Sequence, residues 1–182
     1  MLTALKQRFP TFQQILAVYG VVALLIHGWT LMWFLWRLPS WLYFLKIGEI
    51  LSVFAYSMCV NLLESISMMV GLLLFSFALP KRWFRNVFLS HATLLAILGL
   101  ISLTIIASHI SSNDDSYPTT IVQLIPFIIL LVLDLTFLIG RIAPVRKLTE
   151  DMADRATIFS YIFLPIGFLS FLIVVIRNVY QK

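Results

Sequence analysis

Apolar runs long enough to cross a membrane, about 20 residues each, recur along this chain from Phe12 to Tyr180 and alternate with short charged or proline-bearing stretches. No water-soluble core could hide so many uninterrupted runs, so the pattern predicts an all-α, multi-pass (polytopic) transmembrane helix bundle. Five spans are expected, at approximately residues 12–36, 41–80, 87–108, 119–140 and 157–176. Together they make one integral membrane domain over residues 1–182.

Some boundaries are sharper than others. Leu38-Pro39-Ser40 interrupts the first run, and Trp29, Trp33, Trp36, Trp41 and Tyr43 surround it. Such a cluster is the aromatic belt expected where rings sit at headgroup depth. Residues 41–80 are twice the length of one crossing. They read either as one long, kinked or tilted helix, or as two helices folded back at Asn61-Leu62-Leu63-Glu64-Ser65. The turn reading is the weaker, because those five residues include no Gly or Pro. In the third run Ala92, Ala96 and Gly99 share one helical face suited to close packing. Pro126 in the fourth run and Pro165 with Gly167 in the fifth are candidate kink points.

Charge placement orients the bundle. With five spans, Lys6, Arg8, Lys81, Arg82, Arg85, Arg141, Arg146, Lys147 and Arg155 share one side, and Arg37, Arg177 and Lys182 the other. The positive-inside bias then makes the N-terminus cytoplasmic. A six-span alternative splits the basic residues less sharply. The net charge of +5 needs no nucleic-acid partner, because the basic residues sit at span ends, where lipid headgroups account for them.

Composition removes several classes of function. Hydrophobic residues make up 61% of the chain and charged ones 12%, against about 25% charged in a soluble domain. No nucleophile elbow, phosphate-binding loop, zinc-protease helix or dinucleotide fingerprint is present. Cys59 is the single cysteine and reads as a small buried hydrophobe. The first run is too long for a cleavable signal peptide and reads as a retained span. Glu150, Asp151 and Asp154 lie in a mixed-charge stretch that reads as an amphipathic connecting helix, with Asp151 and Arg155 spaced to pair.

An ionised side chain at the bilayer centre costs roughly 2.5–3.5 kcal/mol on insertion scales, so polar residues inside the runs carry the functional interest. Ser57, Asn61 and Glu64 fall on one helical face and could hold a proton, a cation or a partner's basic group. Gln123 and Asp134 align along the fourth run with Thr120 and Arg141. Asp134, isolated among apolar neighbours, is expected to face the bundle interior or another subunit. His27, with Thr30 close by, is expected to hydrogen-bond a neighbouring helix. His91 and His109 sit near opposite ends of the third run and cannot join His27 at one depth, so neither a metal centre nor a haem is expected. Lys46 and Glu49 form a candidate interfacial pair. No cofactor is implied.

The order of spans resembles, in hydropathy alone, the N-terminal membrane domains of lipid-linked phosphotransferases of the alkaline-phosphatase type. No motif accompanies the likeness, and no site residue follows from it. The reading that best fits the residues is a non-enzymatic accessory subunit of a cell-membrane assembly, with the lipid bilayer and a membrane-protein partner, or self-association, as its contacts. A small ion-coupled permease using Asp134 and Glu64 is the alternative. A membrane enzyme acting on lipid-linked substrates has the least support.

Overall fold

A computed structural model describes residues 10–78, 87–109 and 119–180. Five helices account for nearly all of them: α1 (Phe12–Phe44), α2 (Ile47–Ala78), α3 (Phe88–His109), α4 (Thr119–Gly140) and α5 (Ala143–Tyr180). All five are long and apolar enough to cross a membrane. The chain is a multi-pass membrane protein, and five crossings by these helices put the start of α1 and the end of α5 on opposite sides.

Helix is the only option for such segments. Hydrocarbon offers no partner for a backbone N–H or C=O, and a helix pairs its own. Thr11 starts α1 with a capping box: its hydroxyl accepts from the Gln14 N–H, and the Gln14 side chain accepts from the Thr11 N–H. That satisfies two of the donors a helix start leaves open.

Two sequence expectations are corrected at the first boundary. The break expected at Pro39 does not occur, and α1 runs through it to Phe44. Proline removes one helix hydrogen bond, a tolerable loss where the helix leaves the hydrocarbon and water or neighbouring groups can replace it. At 33 residues, α1 is about 50 Å long, well beyond a core of about 30 Å. Its last turns therefore carry the tryptophan belt into the headgroups. The true break is at Leu45, whose extended backbone (φ −115°, ψ 146°) separates α1 from α2. Residues 41–44 thus belong to α1. Residues 47–78 of the long 41–80 run are one continuous helix, so the hairpin at 61–65 and the sixth span fall away.

A third correction concerns the end of the chain. The amphipathic stretch before the fifth span is no separate connector, because α5 is a single helix of 38 residues. Its ion pair is Arg146 with Glu150 at 3.7 Å, in place of Asp151 with Arg155.

α5 is the spine and touches all four other helices. Its buried positions Thr149, Ala153, Ala156, Ser160, Phe163, Gly167 and Ser170 alternate in steps of four and three, the repeat of a close-packed helix seam. Most are small. α1 answers with Ala17, Gly20, Val21 and Ala23. Without a hydrophobic driving force in lipid, helices associate through this kind of close approach. The tightest point is Gly20, where a Cβ would overlap the Ala156 carbonyl. α2 and α3 flank the α1–α5 pair, with Ala92 and Ala96 in the central cluster. Gly99, expected on the same packing face, instead lines an apolar cleft between α2, α3 and α4. α4 is peripheral, packed on α3 and lightly on α5.

Gly20→Val should therefore cost about 1–3 kcal/mol, the usual price of overpacking, measured as unfolding in mixed micelles titrated with dodecyl sulfate. Gly28→Ala, whose Cβ meets nothing within 4 Å, should change stability by less than about 0.5 kcal/mol.

Candidate functional site

The polar residues at membrane depth divide into an inner group that holds the bundle together and an outer group that finds no partner among the described residues.

The inner group follows the seam of α1 with α2 and α5. Thr30 donates to the Asn61 Oδ1 at 3.0 Å, and the Tyr19 and Ser65 hydroxyls meet at 3.1 Å. Ser65 also donates to the Leu62 carbonyl at 3.0 Å. The first two bonds remove exposed dipoles from hydrocarbon while locking α1 and α2 in register. Tyr19 and Ser65 were not singled out from the sequence. Ser65 lies one turn after Asn61, and that spacing was the available signal.

His27 is completely buried and stacks on Phe163, with ring centroids 4.5 Å apart. Its expected bond to a neighbouring helix does not form. Nδ1 instead lies 3.0 Å from the Ala23 carbonyl of its own helix. A carbonyl only accepts, so Nδ1 carries the proton. Nε2 is left as a buried acceptor without a partner, and the Asn61 Nδ2 is a buried donor without one. His91 is buried on α3 and packs its ring against Gly140, where a Cβ would come within 2.8 Å of Nε2. That contact seats the end of α4. His109 ends α3, and its side chain is outside the described residues, as is that of Thr120. Among the described residues no three His, Cys, Asp or Glu side chains gather closely enough to share a metal ion.

The face shared by Ser57, Asn61 and Glu64 is split by the packing. Ser57 is half-buried and donates to the Val53 carbonyl at 2.8 Å. Asn61 turns into the seam. Glu64 is exposed. The arc between Asn61 and Glu64, three residues and about 60° short of a full turn, is enough to carry the carboxylate out of the interface. It lies about 2 Å along the axis from the midpoint of α2 and forms no hydrogen bond or ion pair with any described residue. It lines a cleft of about 420 Å³ between α1, α2 and α3.

Of the two directions expected for Asp134, the bundle interior or another subunit, the first does not hold. It is exposed on the outside of α4, as is Gln123. Phe127, Leu130, Leu131 and Leu138 surround them on the same outer surface. Asp134 lies about 7 Å from the midpoint of α4, inside a hydrocarbon half-thickness of about 15 Å. Arg141, two turns on, is also exposed and does not pair with it. Asp134 takes no part in the Glu64 cleft.

Lys46 and Glu49 do meet, but not as an ion pair. The Glu49 carboxylate accepts from the Lys46 backbone N–H at 2.7 Å and caps α2. Nearby, Tyr56 donates to the Asn178 Oδ1 at 3.0 Å, and Arg177 lies over the Tyr56 ring at 6.0 Å. These contacts tie the start of α2 to the end of α5.

In a double-mutant cycle, Thr30→Val and Asn61→Ala should show a coupling of about 0.6 kcal/mol and at most about 1.7 kcal/mol, the range for hydrogen bonds between membrane helices. Unfolding in mixed micelles reads it. The chain matches no known protein-family model, no curated protein and no solved structure, which leaves its own residues to speak for its function.

Proposed function

We propose that this chain is a non-enzymatic subunit of a cell-membrane assembly, held to its partner through the outer face of α4. The observation that carries this reading is Asp134, exposed among Phe127, Leu130, Leu131 and Leu138. An acid facing lipid is costly, by roughly 2.5–3.5 kcal/mol when ionised at mid-membrane. A neighbouring helix that supplies a cation removes that cost and gains a pair strengthened by the low dielectric.

The chemistry also says which partner fits. A two-fold pairing of α4 with itself would set Asp134 against Asp134. Among the described residues, the lysines and arginines all lie at or beyond the ends of the apolar runs, so a second copy has no cation to offer at that depth. The partner is therefore a different transmembrane helix with a Lys or Arg within its span. The permease reading has less support, because Asp134 does not line the cleft that Glu64 lines.

A photocrosslinking amino acid at Leu130 or Leu138 should give one discrete protein adduct in native membranes. The same group at Leu169, exposed on α5, should label lipid. Asp134→Asn should remove the adduct, since breaking a buried ion pair costs about 3–5 kcal/mol. Lipid adducts alone from α4, with a stable lone chain in mild detergent, would contradict the proposal.

A further inference from the structure

The cleft at Glu64 belongs to a different face and raises a separate question. Leu25, Trp29, Ile101 and Ile105 form its exposed rim, so it opens through an apolar border on the outer surface of the bundle. Apart from the Trp29 indole N–H at the rim, its walls are apolar except for three side chains: Glu64, Thr30 and Thr104. The two threonine hydroxyl protons are already committed. Thr30 donates to the Asn61 Oδ1 at 3.0 Å, and Thr104 donates to the Leu100 carbonyl at 2.9 Å. What both hydroxyls present to the cleft is lone pairs. Glu64 adds a carboxylate with no partner among the described residues.

A greasy pocket whose polar groups, the Trp29 indole N–H at the rim aside, all accept selects its ligand by chemistry. An anion would be repelled by Glu64 and find one donor at most, that N–H. A neutral alcohol would leave an ionised carboxylate uncompensated. A protonated amine on an apolar body satisfies each requirement: positive charge for Glu64, N–H donors for the oxygens, and a hydrocarbon tail for the walls. The exposed Trp29 ring adds a face on which a cation can rest. We propose that the α1–α2–α3 cleft is a binding site for lipophilic amines entering from the membrane phase, with Glu64 as the charge that holds them. The site uses no part of α4, so it is independent of the partner surface around Asp134.

The test is equilibrium binding of tritiated decylamine to the chain in nanodiscs of zwitterionic lipid, with empty nanodiscs measuring simple partitioning. Saturable binding of one amine per chain is expected above that background. Decanol, with the same tail and no charge, should compete at least about tenfold more weakly, and Glu64→Gln should weaken the amine at least about tenfold, a small demand on a charge-assisted contact. Asp134→Asn should leave amine binding unchanged even where it abolishes partner crosslinking, which separates this site from the docking face. Ile101→Trp alters only an exposed rim side chain and should block the cleft while leaving the unfolding midpoint in place. It keeps the test decisive if Glu64→Gln fails to fold. Equal binding of decylamine and decanol, or full binding in Glu64→Gln or Ile101→Trp, would overturn the proposal.

Discussion

Hydrocarbon makes no hydrogen bonds, and that constraint organises this molecule. It dictates helices, because only a helix satisfies its own backbone within one segment. It also removes the hydrophobic effect as glue between them, so α1 and α5 are held by how closely they can approach. Gly20 lies so close to the Ala156 carbonyl that no Cβ would fit between them. The small residues spaced along α5 extend that contact through the bundle. The remaining helices are arranged around this pair, and α4 is the one left with most of its surface outside.

The same constraint sorts the polar residues. Tyr19, Thr30, Asn61 and Ser65 turn inward and find one another across the α1–α2 seam. Their bonds are individually modest, but they fix axial register between helices whose apolar surfaces alone would slide. Glu64 and Asp134 do the opposite. Each lies on an outward surface without a partner in the described chain, one in a cleft and one on a helix face. Four neutral polar groups that face the α1–α2 seam and two acids that face outward are the arrangement on which both proposals rest. The shapes differ, and so do the ligands they suit: a concave pocket for a small cation, and a convex helix face for another helix.

Much of the architecture was legible from the sequence. The runs at 87–108 and 119–140 match α3 and α4 closely, because length and hydropathy report a crossing directly. Pro39 misled, since proline marks an end only where its lost hydrogen bond cannot be replaced. The fusion of 143–156 with the last span was missed because charge changes at the membrane surface while helical propensity does not. Small residues were noticed on α3, where Ala92 and Ala96 serve the core, but the longer pattern on α5 was not. Its Ala, Ser and Gly positions alternate with large apolar residues that dominate any hydropathy reading. For the sites, residue type and depth could be read, whereas inward or outward direction could not. A lone acid in an apolar run looks the same either way, and only packing shows that Asp134 faces out and Asn61 faces in.

The claim on which all this rests is that lipid, with no protein of this chain in between, bathes the face of α4 that carries Asp134. Spin labels on Leu130→Cys, Asp134→Cys and Leu138→Cys, in a Cys59→Ala background reconstituted alone into bilayers, measure it most directly. High collision rates with oxygen and low rates with a water-soluble nickel chelate at all three positions are the predicted result. Low oxygen access, as in a packed interior, or strong broadening by the nickel chelate, as in water, would contradict it.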